Sequence, residues 1–310
     1  LSNGTPVLGM RQTGGATGAY VYTPNSVATP LVVNLVSTST RVVTVPATVT
    51  IPAGSNYQYF TVTSLDTLGT IQIQASATGY NATSMNVQVT QPKFVVSTSS
   101  QVNTTSPKQG VTIYATDANG TAHYVTENVT VTLASSSLSV GTFDSTTITI
   151  PSGGYYHNTA TWSPGIVGTA QLSATDTRTV FYMYNTGTAN ISVITPTLNF
   201  NFNNTPLGLG QYIDNVYVYT PDNQVAARTV SLSHTGTVRT STLVGGSSVS
   251  SVTIPASANY VYFRLLGTAA GTDTLVGALA SPPHNPATAS PISHPGALVC
   301  GRPSCRGPAW

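Results

Sequence analysis

The chain has 310 residues, of which only 6% are charged, and its formal net charge at pH 7 is +2. An ordinary soluble domain is about 25% charged, and the few Lys and Arg residues here are scattered, without the basic stripe typical of nucleic-acid binding. No apolar run approaches the roughly 20 residues that a bilayer-spanning helix needs. The composition therefore predicts neither a nucleic-acid partner nor membrane insertion of this segment.

The predicted elements, in chain order, are strands and turns. Strict alternation of apolar and polar residues predicts strands at 71–75, 85–89 and 129–133, and Ala118-Asn119-Gly120 predicts a turn. The many Thr, Val and Tyr residues favour strands as well. No window shows a capped apolar period of 3.6 residues, so we predict no long helix and an all-β fold.

One phrase occurs three times and defines the folding unit. Ile-Pro stands at Ile51-Pro52, Ile150-Pro151 and Ile254-Pro255, each time after Thr and a few residues before a Tyr-rich strand. Residues that recur at a near-fixed period of about 100 indicate tandem domains, and this period suits a β-sandwich. We expect the three Ile side chains to be equivalent core residues. Because proline donates no ladder hydrogen bond, each strand should end there or lie at a sheet edge.

Further matches extend the repeat on both sides. A Gly-Thr step follows each Ile-Pro, at Gly69, at Gly168 and at Gly267 or Gly271. Upstream, 8–12 (Leu-Gly-Met-Arg-Gln) resembles 207–211 (Leu-Gly-Leu-Gly-Gln). Short segments closed by Pro92 and Pro196 mark the boundaries. We therefore divide the chain into residues 1–92, 93–196 and 197–292, called here the first, second and third repeats, and an irregular Pro-rich tail, 293–310.

These motifs together resemble tandem bacterial immunoglobulin-like (Big-type) repeats of prokaryotic surface and secreted proteins. The resemblance rests on Val-Thr-Ile-Pro-Ala-Gly, the Gly-Thr step, Gln-Ala-Ser-Ala-Thr-Gly-Tyr at 74–80, and Val-Gln-Val at 87–89. It implies three tandem Ig-like β-sandwich domains and a stalk, spacer or adhesin role outside the cell. It implies no catalytic residues.

The residue types that carry chemistry are dispersed along the chain. The acidic residues form no cluster or Ca²⁺-loop pattern. Asp117 and Asp222 share a repeat position with Asn25, which indicates turn capping. The histidines share no repeat position and no zinc-site spacing, and both cysteines fall in the tail. The histidines are His123, His157, His234, His284 and His294, and the cysteines are Cys300 and Cys305. We therefore predict no enzyme, no cofactor, and no catalytic, cofactor-binding or metal site.

Tyrosine pairs at i and i+2 recur in the first and third repeats. The two rings of such a pair lie on one face of a strand. Exposed rings could stack on sugars, whereas buried rings would be sandwich core with the hydroxyl at the rim. Because the pairs recur in two repeats, we expect the rings to be buried in the core. The pairs are Tyr20 and Tyr22, Tyr57 and Tyr59, Tyr217 and Tyr219, and Tyr260 and Tyr262.

The end of the third repeat departs from the pattern. Prolines between Pro282 and Pro295 stand where the first repeat has its closing strand, so we expect that strand to be missing or atypical. An unpaired edge there could accept a strand from another chain, with residues 1–12 as the candidate donor. The tail then represents either the altered end of a longer array or a segment for assembly or anchoring.

The function predicted from the sequence is that of a structural spacer or stalk, extracellular or on the cell surface, without enzymatic activity. One alternative is a subunit of an extracellular filament or layer assembled by strand exchange. Another is an adhesin module for glycans or host surfaces. The expected partners are other copies of the chain or neighbouring repeats of a longer one, and glycans. Asn-x-Ser/Thr sequons add the alternative of a glycosylated stalk; they begin at Asn3, Asn81, Asn103, Asn119, Asn128, Asn190 and Asn203.

Overall fold

A computed structural model describes residues 1, 6–15, 18–202, 207–221, 223, 226–236, 238–241 and 248–279, and the backbone of 287–294. The chain is all-β and folds as Ig-like sandwiches, as predicted. It divides into two compact units. One comprises 1–100 with 108–192, and the other comprises 101–107 with 193–310. The predicted boundaries at 92, 196 and 292 stay predictions.

The described residues of the first repeat form ten strands. They are β1 (Val7–Gly9), β2 (Gln12–Thr13), β3 (Ala19–Tyr22), β4 (Leu31–Ser37), β5 (Val43–Thr44), β6 (Thr48–Ile51), β7 (Tyr57–Phe60), β8 (Thr63–Ser64), β9 (Gly69–Ser76) and β10 (Thr83–Thr90). One sheet has the order β1-β10-β9-β4-β6, and β3 pairs with β7. The alternation predicted for 85–89 is confirmed, because Met85, Val87 and Val89 are buried.

The second repeat contains the next ten strands. They are β11 (Lys93–Ser97), β12 (Gln101–Asn103), β13 (Gln109–Thr116), β14 (Tyr124–Val125), β15 (Val129–Ser135), β16 (Gly141–Phe143), β17 (Thr147–Ile150), β18 (Tyr156–Pro164), β19 (Gly168–Asp176) and β20 (Gly187–Ile194). One sheet has the order β11-β13-β18-β16, and a second contains β20, β19, β15 and β17 in that order. Strand β14 joins β2, β8 and β5 of the first repeat in a four-stranded sheet, so the two repeats share a sheet.

The third repeat contains eight strands within its described residues. They are β21 (Asn199–Asn201), β22 (Tyr212–Tyr219), β23 (Arg228–His234), β24 (Val238–Ser241), β25 (Ser251–Ile254), β26 (Tyr260–Gly267), β27 (Gly271–Leu279) and β28 (Ala287–His294). Its sheets have the orders β21-β22-β26-β24 and β25-β23-β27-β28.

The three Ile residues occupy equivalent positions, as predicted. Ile51, Ile150 and Ile254 are each 0% exposed and end an edge strand. Each edge strand pairs antiparallel with the corresponding neighbour, β4, β15 or β23. In each repeat the proline ends the strand at the sheet edge, where its missing N–H removes no ladder bond.

The Gly-Thr step also occupies the same structural position in all three repeats. Gly69, Gly168 and Gly271 open β9, β19 and β27 with φ values of 143°, 156° and 151°. These φ values favour glycine. The step in the third repeat is therefore the one at Gly271, because Gly267 is the last residue of β26.

The closing strand of the third repeat was expected to be missing or atypical, and the expectation of an unpaired edge is wrong. Strand β28 pairs antiparallel with β27, in the place that β10 takes beside β9. The register shifts between Asp273 and Leu275, opposite Ser290 and Pro291. A bulge on an edge strand tolerates proline, because no ladder donor is required there. The proposed donor segment is also engaged, since β1 pairs parallel with β10 of its own repeat.

Candidate functional site

The junction between the first and second repeats concentrates the buried polar side chains of the first compact unit. Only Gln91 and Pro92 separate β10 from β11. Across the junction, β2 and β14 pair antiparallel, with Gln12 opposite Val125. The backbone N–H and the hydroxyl of Thr126 both donate to the Arg11 carbonyl, each at 3.0 Å. Main-chain bonds thus connect the two repeats directly.

Gln12 fastens this junction through its side chain, which is 0% exposed. Its Nε2 donates to the Thr116 carbonyl and to the Tyr184 hydroxyl of the second repeat, both at 3.1 Å. Its Oε1 accepts the Gly9 N–H at 2.7 Å. Burial raises the pKa of Tyr184 to about 12, so the hydroxyl stays protonated at neutral pH. A fully paired buried amide fixes one relative placement of its neighbours.

A charged cluster borders the same junction and was not foreseen from the sequence. Arg178 donates to Asp176 at 2.7 Å and to Glu127 at 2.6 Å. Burial alone would raise the pKa of Asp176, whose side chain is 0% exposed. The hydrogen bonds from Arg178 and the Tyr184 N–H outweigh burial and lower that pKa. Glu127 and Asp176 are far apart in sequence, so only the fold brings them together.

Tyr182 links this cluster to the first repeat. Its ring packs against the first repeat's hydrophobic core. The Arg11 guanidinium lies 4.9 Å from the ring centroid and that of Arg178 lies 5.6 Å from it, which are cation–π distances. Arg11 has a φ of 56°, which is uncommon for a residue with a side chain. Its guanidinium is paired with Asp66, and this pairing raises its pKa. Strain of this kind persists where several contacts hold it.

A cleft of about 330 Å³ lies beside the junction, between the two repeats. Asp117 and His123 line it and are 3.2 Å apart. The other Asp117 oxygen accepts the N–H groups of Asn119 and Thr121, so the predicted turn-capping role of Asp117 is confirmed. Its repeat counterpart, Asp222, lies outside the described residues. Both oxygens of Asp117 are thus engaged in holding its own turn.

The tyrosine pairs form a second recurring surface, and the prediction that they are core is wrong. In β3 and β7, Val21 and Phe60 point into the core, so the alternate residues face outward. The rings pack edge to face or tilted, at centroid distances of 5.5 to 6.3 Å in the first repeat and 5.3 to 5.8 Å in the third. The most exposed are Tyr22 (42%), Tyr57 (46%), Tyr59 (38%), Tyr260 (45%) and Tyr262 (41%).

Among the described residues, no three His, Cys, Asp or Glu side chains are grouped closely enough to hold a metal ion. No helix within the described ranges has the length and hydropathy to cross a membrane. Several residues considered from the sequence lie outside the described part of the chain: Asn3, Asn203, His284, Cys300 and Cys305.

No protein-family model matches the chain, and no curated protein is detectably similar to it. Solved structures with distant likeness include the D0-D1 domain of intimin, at 15% identity and a TM-score of 0.26, covering 65% of this chain and 97% of that one. The Escherichia coli adhesin FdeC shows 15% identity and a TM-score of 0.30, with 89% and 96% covered. The S-layer protein SbsC shows 13% identity and a TM-score of 0.30, with 83% and 35% covered. These likenesses are too distant to carry an argument about function.

Proposed function

We propose that this chain is a non-enzymatic structural spacer of a prokaryotic cell-surface or secreted protein. The observation that supports it best is the junction between the first two repeats. A spacer must transmit position from one domain to the next, and this requires a junction that resists bending. Only two residues separate β10 from β11, Gln12 is fully buried with its side-chain bonds made, and one sheet continues across the boundary.

An extracellular location suits the same features. The low charge of 6% leaves solubility to hydroxyl and amide side chains. Of the described sequon residues, Asn81, Asn119, Asn128 and Asn190 are exposed and Asn103 is buried. The alternative of a filament assembled by strand exchange loses its main support, because β28 and β1 are both paired within their own repeats.

Backbone ¹⁵N relaxation of the intact protein tests the spacer function. If the junction is rigid, the amides of the first and second repeats will report one common rotational diffusion tensor. Interdomain motion on the nanosecond timescale would give each repeat its own tensor and lower order parameters at Gln91. That second result would contradict the spacer function.

A second candidate function is the binding of neutral glycans by the tyrosine clusters. Exposed aromatic faces with hydroxyl groups suit stacking against sugar rings, and the first repeat offers Tyr57 and Tyr59 beside Tyr20. A glycan array probed with the intact protein tests this candidate. Binding should be lost when Tyr59→Ser is combined with Tyr262→Ser, the corresponding change in the third repeat, and kept in Tyr80→Ser, because Tyr80 is similarly exposed at 48% but lies outside the clusters. Binding unaffected by the combined change would exclude the clusters.

A further inference from the structure

The turn that fastens the first repeat to the second has a structural copy in the third repeat. In both turns, a glutamine Oε1 accepts the N–H of the glycine three residues earlier, from Gly9 at 2.7 Å and from Gly208 at 2.9 Å. The residue before the glutamine has a positive φ in both, 56° at Arg11 and 73° at Gly210. The two turns, 8–12 and 207–211, therefore have the same fold.

Burial distinguishes the two copies. In the first repeat Met10 and Gln12 are both 0% exposed: Met10 packs in the hydrophobic core of its repeat, and Gln12 bonds to the second repeat. In the third repeat the corresponding Leu209 is 71% exposed, and Gln211 is exposed too. The apolar side chain of Leu209 is thus uncovered in a turn where its counterpart Met10 is buried.

The corresponding turn of the second repeat supports this interpretation. Met10 N–H donates to the Thr90 carbonyl at 3.0 Å, and Thr104 N–H donates to the Ile194 carbonyl at 3.0 Å. Thr104 thus takes the place of Met10. Its segment, 101–107, groups with the second compact unit, apart from most of its own repeat, and Val102 and Thr105 in it are buried.

The other half of the interface also has an exposed copy, in the first repeat. In the second repeat that half contains Val125, whose N–H donates to Gly154 and whose carbonyl accepts from Gly153, both at 2.8 Å. Val27 makes the same two bonds, to Ser55 at 2.9 Å and from Gly54 at 2.8 Å. Val125 lies under the turn of the preceding repeat and is buried; Val27 is buried as well, and the residues on either side of it, Ser26 and Ala28, are exposed.

A second loop also contributes to the receiving half of the interface. The loop that follows β19 carries Tyr182 against the preceding repeat. The equivalent loop after β9 carries Tyr80, which is 48% exposed beside a small cleft of about 60 Å³. The exposed turn, 207–211, and the exposed receiving surface, 26–28 with 77–81, contain no charged residue. No like-charge repulsion opposes their contact.

We propose that the chain associates head to tail, with the turn 207–211 of one copy docked on residues 26–28 and 77–81 of a second copy. The contact joins two different surfaces, so it adds copies head to tail, into an open chain or a ring, and does not form a symmetric dimer. This assembly goes beyond the spacer function and does not depend on it, since a monomer with a rigid junction could still act as a spacer. No strand is exchanged.

Sedimentation velocity of the intact protein, at concentrations up to about 1 mM, tests the proposal. The wild-type protein should form oligomers whose mean size grows with concentration. Leu209→Asp should remain monomeric, because it places a charge in the apolar contact. Leu138→Asp is the matched control, since Leu138 is 72% exposed in the second repeat, outside both surfaces, and should leave association unchanged.

A mixing experiment tests the head-to-tail geometry. Ala28→Arg blocks the receiving surface but leaves the turn intact, so this variant alone should also be monomeric. Each blocked variant keeps one working half, and an equimolar mixture of Leu209→Asp and Ala28→Arg should form a 1:1 dimer and nothing larger. A monomeric wild-type protein, association that survives Leu209→Asp, or a mixture that stays monomeric would each overturn the proposal. Circular dichroism checks that each variant is folded, and ¹⁵N relaxation judges the spacer function separately.

Discussion

Replacing Gln12 by alanine should loosen the first junction far more than the same change at Gln211. The two glutamines hold the same turn, but Gln12 is 0% exposed and binds both repeats, whereas Gln211 is exposed. In Gln12→Ala the Gly9 N–H and the Thr116 carbonyl lose their side-chain partners in a buried setting. An unsatisfied buried group costs about 1–3 kcal/mol, so we expect a loss of about 2–4 kcal/mol. In Gln211→Ala water replaces the lost acceptor, and the loss should be about 0.5 kcal/mol.

Native-state hydrogen exchange read by mass spectrometry measures both variants in the intact protein. Bulk unfolding is unsuitable because several domains need not unfold in one step. In Gln12→Ala, peptides covering 8–14 and 116–126 should exchange about 30-fold faster or more, at about 1.4 kcal/mol per factor of ten. In Gln211→Ala, peptides covering 207–213 should change by less than about threefold. Similar effects of the two changes would refute the claim that Gln12 fastens the repeats.

Three further tests, with five substitutions, address individual contacts. Ser257 has a φ of 65° where the equivalent Gly54 and Gly153 have 80° and 79°, and a left-handed conformation costs a residue with a side chain about 1–2 kcal/mol. Ser257→Gly should therefore stabilise the third repeat and slow the hydrogen exchange of its peptides, and Gly54→Ser should destabilise the first repeat and speed exchange there. Opposite signs would show that the turns are not equivalent. The Asp273 carboxylate accepts hydrogen bonds from the N–H groups of Thr235, Gly236 and Val238. Burial raises the pKa of Asp273, but these bonds outweigh burial and lower it. Asp273→Asn should therefore cost about 2–3 kcal/mol of stability above about pH 4, and the difference in stability between the two proteins should shrink as the pH falls through the lowered pKa. A difference that stays constant from pH 7 to 2 would count against this. A Cβ on Gly141 would lie 2.1 Å from the Trp162 ring, whereas one on Gly110 meets no atom within 4 Å. Gly141→Ala should therefore cost about 1–3 kcal/mol in native-state hydrogen exchange of the second repeat's peptides, and Gly110→Ala much less. Equal costs would contradict the packing around Trp162.

The sequence predicted the features that depend on local periodicity. The recurrent Ile-Pro step marks an edge strand that ends on a core residue, because both alternation and the missing proline donor are local properties. The sequence was less informative about which of the two faces of a strand is buried. Tyr20 and Tyr22 alternate with Ala19, Val21 and Thr23, and the smaller residues face the core.

The features that the sequence did not predict depend on contacts between residues far apart in the chain. Arg178 meets Glu127 across 51 positions, and Gln12 meets Tyr184 across 172. No spacing rule covers such distances. Pro291 was taken as evidence against a closing strand, but the register shift opposite Ser290 and Pro291 lets β28 pair with β27. The Leu-Gly-x-x-Gln motif was visible as a repeat, yet only burial shows that one copy is covered and the other exposed.

The most direct test of the central claim, a rigid junction between the first two repeats, is a distance distribution from pulsed electron spin resonance. Labels at Val32 and Ile166, which are 53% and 62% exposed, report one distance across the junction, after Cys300 and Cys305 are replaced by serine. The wild-type protein should give a single narrow distribution, and Gln12→Ala with Arg178→Ala should broaden it. A broad distance distribution in the wild-type protein would contradict a rigid junction.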